Sequence, residues 1–380
     1  MFTLPMSRRV LLASMGLALA PAFAASDDKD AESGRSHQFY EATTLTSDGS
    51  VPTQNPADGD LVNGWGVAFH PQGPVWVADN GKGKSTLYDG TGKKLGLVVT
   101  IPGAGGAQGK PTGIVFNGGA ANMPPALPDF PVKGKNPQGA DTTAGATFLF
   151  ASEDGLITGW APAINLTMAL VAKDKSADNA IFKGLALGGD GARHLLYATD
   201  FHNARVDVWD SAFNEVALPA GAFTDPSIPK GYAPFGIQAI NGDLVVTYAK
   251  QDENAEDDVK GQGFGFVDIF DAAGKLVRRF AEHGVLNAPW GVALAPSSFG
   301  RFGGALLIGN FGDGYINAYG LRSGHLLGTL REQDGHRIHI DGLWGMQFGN
   351  GILMQPTNAL FVAAGPGGEQ HGTYSVIRAH

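Results

Sequence analysis

The sequence predicts an all-β protein, a six-bladed β-propeller closed by a strand from its own N-terminus. Three observations predict it. A glycine-containing apolar strand recurs six times, each copy is followed by further short strands between polar turns, and the last copy lacks a strand that the N-terminal region carries in surplus. Repeats of this length, each too small to bury a hydrophobic face alone, are the mark of blades stacked around an axis.

The first strand of each unit reads Gly64-Trp65-Gly66-Val67-Ala68-Phe69, Pro111-Thr112-Gly113-Ile114-Val115-Phe116, Lys183-Gly184-Leu185-Ala186-Leu187, Pro234-Phe235-Gly236-Ile237, Pro289-Trp290-Gly291-Val292 and Leu343-Trp344-Gly345-Met346. A second, almost wholly apolar strand follows, as in Val75-Trp76-Val77-Ala78-Asp79-Asn80 and Leu306-Leu307-Ile308-Gly309-Asn310. Continuous apolar runs suit strands buried on both faces. The third strand alternates, as in Val206-Asp207-Val208-Trp209 and Val267-Asp268-Ile269-Phe270. Period-two alternation marks a half-exposed strand. A fourth is expected in five units, for example Leu97-Val98-Val99-Thr100-Ile101 and Leu276-Val277-Arg278-Arg279-Phe280. The sixth unit stops after Thr373-Tyr374-Ser375-Val376-Ile377, and the unpaired Phe39-Tyr40-Glu41-Ala42-Thr43-Thr44-Leu45 precedes the first, so the N-terminal strand is expected to complete the last blade. Closure of that kind removes an aggregation-prone edge.

The strand pattern, followed by Val75-Trp76-Val77-Ala78-Asp79-Asn80 and Leu87-Tyr88-Asp89-Gly90-Thr91-Gly92-Lys93, resembles NHL-repeat propellers. From Asn63 to Ile377 the chain looks like a family of secreted bacterial propeller proteins of unsettled function. Propellers of this class include protein-binding scaffolds, lactonase-like hydrolases and an amidating lyase, so the resemblance implies a fold and leaves activity open.

The N-terminus carries Arg8-Arg9, an apolar run to Ala20 and Pro21-Ala22-Phe23-Ala24, which reads as a signal peptide over 1–24 cleaved after Ala24. A polar linker is expected over 25–36 and one propeller domain over 37–380. The apolar run falls short of the ~20 residues of a spanning helix, so no transmembrane anchor is expected in the mature chain. A periplasmic or secreted location follows, with the Sec route favoured over the twin-arginine route that Arg8-Arg9 also resembles. The net charge of −9 becomes more acidic once Arg8 and Arg9 are removed, which opposes nucleic-acid binding. With no cysteine, disulfides, thiolate metal sites and a cysteine nucleophile are excluded.

In a propeller the turns entering the first strand and joining the second to the third lie on one face, here called the mouth face. His202 and His371 fall on second-to-third turns, and His283, His336 and His339 precede first strands. Asp79, Asn80, Asp200, Asn310 and Asp341 join them, with Glu153, Asp154, Asn203, Asp313 and Glu369. Such imidazoles and carboxylates suit zinc or calcium, and Asp and Asn at turns equally suit backbone capping. His202, His283 and His339 come from three blades and could share zinc only at a narrow mouth. A lactonase-like calcium site would need acidic or amide side chains where the inner strands start. Those positions read as Asn63, Thr112, Lys183, Phe235, Trp290 and Asp341, of which only Asn63 and Asp341 qualify. Trp65, Phe235, Trp290 and Trp344 suggest an aromatic floor or plug.

Two long loops interrupt the repeat. Residues 117–147, containing Met123-Pro124-Pro125, read as an irregular excursion on the opposite face. Residues 250–263 place Asp252, Glu253, Glu256, Asp257 and Asp258 on the mouth face, as a lid, a calcium loop or simply a solvated segment. No phosphate loop or nucleophile elbow is present. The leading expectation is an exported binding or interaction scaffold that takes a small molecule or protein on its mouth face. The alternative is a metal-dependent lyase or hydrolase at the channel mouth, and the sequence leaves open whether the chain is an enzyme.

Overall fold

Residues 38–121 and 128–380 of a computed structural model are described. The signal peptide, the linker and Met123-Pro124-Pro125 lie outside the described residues. Strand β1 (Tyr40–Ser47) is followed by blade 1, made of β2 (Gly64–Phe69), β3 (Val75–Asp79), β4 (Lys84–Tyr88) and β5 (Lys94–Thr100). Blade 2 contains β6 (Pro111–Phe116), the inserted hairpin β7 (Pro131–Lys135) and β8 (Asp141–Gly145), then β9 (Phe148–Ser152), β10 (Leu156–Trp160) and β11 (Leu170–Asp174). Blade 3 has β12 (Phe182–Gly189), β13 (His194–Asp200) and β14 (Arg205–Asp210). Blade 4 has β15 (Tyr232–Ile240), β16 (Asp243–Lys250), β17 (Phe266–Phe270) and β18 (Leu276–Glu282). Blade 5 has β19 (Pro289–Leu294), β20 (Leu306–Asn310), β21 (Ile316–Tyr319) and β22 (Leu326–Thr329), and blade 6 has β23 (Leu343–Phe348), β24 (Ala359–Ala364) and β25 (Thr373–Ala379).

Each blade is an antiparallel meander, and β1 pairs with β25 from Tyr40↔Ala379 to Ser47↔Thr373, giving the sheet order β1-β25-β24-β23. Second strands are sandwiched between neighbouring blades and bury every residue in β3, β9 and β20. Outer strands are mixed, as in β5 and β11. Each fully buried Leu, Val or Phe contributes roughly 1.5–3 kcal/mol, so stability resides in the seams between blades.

Two expectations change. Blade 3 has three strands, because only a single bridge, Trp209↔Glu215, pairs the following segment with its edge. Val216 donates to the Val208 carbonyl, and Pro219, which has no N–H, soon ends the run. The described residues 128–147 of the insertion form a regular hairpin rather than an irregular excursion: β7 and β8 pair over five residues, and Phe130 and Val132 are buried in the core shared by blades 2 and 3.

The inner strands form a closed ring of contacts in the order β2, β6, β12, β15, β19, β23 and back to β2. The recurring glycine permits it. A Cβ at Gly236 would lie 2.1 Å from the Trp290 carbonyl oxygen, one at Gly345 would lie 2.2 Å from that of Trp65, and one at Gly66 would lie 2.6 Å from that of Thr112. The residues just before these glycines are therefore the equivalent axial positions: Trp65, Thr112, Lys183, Phe235, Trp290 and Trp344. Asn63 sits two residues before Trp65 and Asp341 three before Trp344, so neither is a member of that ring, which removes the basis for a lactonase-like calcium position there.

Candidate binding site at the channel mouth

Aromatic side chains from blades that are not neighbours meet at the axis. Trp344 stacks on Trp65 with centroids 3.5 Å apart and on Phe311 at 3.8 Å, while Trp290 meets both tryptophans edge-on. Phe235 of blade 4 meets Trp344 of blade 6 at 5.8 Å. The Trp290 indole N–H donates across the axis to the Lys183 carbonyl at 3.1 Å, and that of Trp344 donates to Asn63 Oδ1 at 3.1 Å. Deeper along the axis a cavity of about 40 Å³ remains, room for little more than water. The aromatic residues form a plug.

Above the plug lies one charged network. Lys183 is 2% exposed; its Nζ donates to Glu153 Oε1 at 2.5 Å and to Asp257 Oδ1 at 3.1 Å. The ammonium also lies over the Trp65 and Phe201 rings. Burial alone would lower its pKa, yet Glu153 and Asp257 outweigh burial and hold it above the usual lysine value. Glu153 is likewise held below the usual carboxylate range: Lys183 and the Asn80 amide overcome its burial. Asn80 Nδ2 donates to Glu153 Oε2 at 2.9 Å, and Asn63 Nδ2 donates to Asn80 Oδ1 at 3.3 Å and Glu369 Oε1 at 3.1 Å. The network therefore joins blades 1, 2, 3 and 6 to the acidic segment.

That segment folds as a short hairpin. Gln251 bridges Asp258, the Asp252 N–H donates to the Asp257 carbonyl, and Asp252 Oδ1 accepts the Glu256 N–H at 2.9 Å. Asp257 is the side chain that reaches inward to Lys183; Glu253 and Glu256 stay exposed. Asp258 is half-buried with an Oδ2 that has no hydrogen-bond partner among the described residues. Burial pushes its pKa up to about 7, Lys183 and Lys260 pull it down, and Glu369 and Asp257 push it up. Glu369 is raised for the same first reason, burial.

The remaining sequence candidates disperse. Among the described residues, no three His, Asp or Glu side chains are grouped to hold a metal ion. His202 is half-buried with an unpartnered Nδ1, His283 bonds the Gly263 carbonyl at 2.9 Å, and His339 lies edge-on to Tyr315. Each has its own neighbours, so the expected trio does not form a shared site. His336 pairs with its local Asp334, and His371 with Asp48. Asp200 accepts the Asn203 N–H and side-chain amide and meets Arg205, a turn-fixing role. Asn310 donates to the Val285 carbonyl and Asp313, and exposed Asp341 accepts the Gly367 N–H. Asp79 is fully buried with no hydrogen-bond partner by geometry among the described residues; burial first, with Asp58 and Asp60, holds its carboxyl well above the usual range against the opposing pull of Thr86 and Lys94.

Sequence reading named Glu153 and Glu369 on this face but missed Lys183 as a functional residue. The available signal was its place as the lone charge among the six axial positions.

No family model matches the chain. It is 34% identical over 297 residues to "Uncharacterized protein R648" of Acanthamoeba polyphaga mimivirus, covering 76% of this chain and 69% of that protein. It is 31% identical over 294 residues to "Uncharacterized protein L690" of the same virus, covering 76% and 74%. Among solved structures, a structural genomics protein of unknown function from Bacteroides thetaiotaomicron VPI-5482 aligns with a TM-score of 0.55 at 10% identity, over 90% of this chain and 76% of that one. A streptogramin B lyase aligns at 0.50 and 12% identity, over 90% and 98%. At such identities these structures share the propeller fold alone. The mimivirus proteins are nearer in sequence, and by that likeness over more than two thirds of their length the chain belongs to the family of R648 and L690.

Proposed function

We propose that this protein is an exported binding propeller that recognises a small molecule or protein partner on its mouth face. The observation that carries this reading is the anchored acidic hairpin: Asp257 is tied to buried Lys183, while Glu253 and Glu256 are left in solvent. A charged turn fixed at its base to a rigid ring loses little conformational freedom on binding, and preorganisation of that kind raises affinity. The plug beneath turns the mouth into a surface rather than a passage. Among the described residues no helix is long and apolar enough to cross a membrane, and export rests on the N-terminal sequence.

The test is cross-linking in the native host with cell fractionation. Wild-type protein is expected outside the cytoplasm in a discrete cross-linked species that is lost in an Asp252→Asn, Glu253→Gln, Glu256→Gln variant of unchanged melting temperature. Cytoplasmic retention would overturn export, and cross-links indifferent to the three substitutions would overturn recognition through the hairpin.

A further inference from the structure

Beside the hairpin, between blades 4 and 5 on the mouth face, lies a cavity of about 290 Å³ lined by Gln262, Val285, Asp313, Tyr315, Asn317 and Arg337. Its polar groups are unevenly satisfied. Asp313 is engaged on both oxygens and keeps acceptor capacity only on Oδ2: Oδ1 accepts from Asn310 Nδ2 at 3.0 Å and the Tyr315 N–H at 3.3 Å, and Oδ2 accepts from Asn287 Nδ2 at 3.3 Å. Arg337 is the opposite case. Its guanidinium lies 3.8 Å from the Tyr315 ring centroid, and among the described residues it pairs with no carboxylate. A guanidinium stacked on an aromatic ring keeps its planar fork of donors free for an oxyanion.

Asn317 supplies a second unmet donor. It is 1% exposed, its Oδ1 accepts the Thr329 hydroxyl at 2.7 Å, and its Nδ2 has no acceptor among the described residues. The matching residue one blade earlier, Asp268, has Oδ1 met by Arg279 Nε at 2.6 Å and Oδ2 without a partner among the described residues, so what sets Asn317 apart is the cavity it lines. A buried amide left unpaired is costly, so an acceptor that meets Asn317 Nδ2 on a small rotation of that side chain is rewarded.

We infer that this cavity binds a small hydroxy acid, with its carboxylate on Arg337 and an oxygen toward Asn317. This rests on the mouth face being a binding face. The volume suits a molecule of monosaccharide size. Asp313 sets the charge limit: it can accept hydrogen bonds from ligand hydroxyls, and it repels a second carboxylate across so short a span. One carboxylate with several hydroxyls is the complementary pattern, and neutral sugars and dicarboxylates are the disfavoured ones.

Titration calorimetry of the purified protein with galactose, galacturonate and galactarate tests the charge count on one carbon skeleton. Galacturonate is expected to bind at least tenfold more tightly than either of the others. Arg337→Gln, at an exposed position, should reduce galacturonate to the level of galactose, and Asn317→Asp should weaken it at least tenfold by adding a like charge. Equal affinity for galactose and galacturonate, undiminished binding by the Arg337 variant, or no binding of all three sugars would each overturn the inference. If cross-linking through the acidic hairpin persists in those cases, only the ligand assignment falls; if galacturonate binds but cross-links ignore the hairpin, only the recognition role of the hairpin falls.

Discussion

The channel mouth and the cleft between blades 4 and 5 are built from similar residue types to opposite ends. At the mouth Lys183 is enclosed by two carboxylates and two aromatic rings, and Trp290 and Trp344 both find acceptors for their indole N–H groups. In the cleft, among the described residues, Arg337 rests on a ring without a carboxylate and the Asn317 amide has no acceptor beside an open cavity. Apart from Asp258 Oδ2 and the Trp65 indole N–H, which have no partner among the described residues, the first arrangement spends its polar groups on holding blades together. The second leaves polar groups available, which is what recognition requires.

The largest break in that contrast is expected from Lys183→Ala, which strands Glu153, itself largely buried, without its cation. Loss of a buried partner typically costs 3–5 kcal/mol, whereas replacing both partners by uncharged groups is often near neutral. Chemical denaturation should show a loss of about 4 kcal/mol for Lys183→Ala, and recovery of most of it in Lys183→Met with Glu153→Gln. No recovery would mean the pair does more than neutralise itself.

Next in size is Gly236→Ala. Its Cβ would meet the backbone of Trp290 at 2.1 Å, and backbone cannot rotate away. A loss of roughly 3 kcal/mol is expected, against little change for Gly96→Ala on outer strand β5, where nothing lies within 4 Å. Equal effects at the two sites would show that the ring is looser than its spacing implies.

A smaller effect concerns pH. The folded pKa of Asp258, about 7, lies above its unfolded value of about 3.9. Its contribution to stability is therefore fully present below pH 4 and is lost as pH rises through 7. Asp258→Asn should flatten the stability profile and raise stability at pH 8 relative to wild type. Unaltered pH dependence in thermal melts from pH 5 to 8 would place the titration elsewhere.

The smallest effect is expected from Arg337→Gln, whose cation holds no other element in place: a stability change within about 0.5 kcal/mol. A large loss would make Arg337 structural and erase the contrast between mouth and cleft.

The blade count, the inner-strand glycines, the aromatic plug and the mouth-face position of the acidic segment are legible in the chain, because strand period and repeat spacing are local properties that it writes in order. It also named Asn80, Glu153, Asp257 and Glu369 on the right face. Which of those groups meet depends on the fold. Lys183 finds Glu153 at a separation of 30 residues and Asp257 at 74, from other blades, and no linear pattern encodes a distance across a ring. The same cause separated His202, His283 and His339, which share a face without sharing a centre. It also hid the missing fourth strand of blade 3, where the segment after Trp209 makes a single bridge before Pro219. Burial then set the chemistry: Asp258 and Glu253 are both acidic residues of one hairpin, and only the one turned inward has its carboxyl raised toward neutrality, because the free energy of a charge depends on the surroundings that the fold provides.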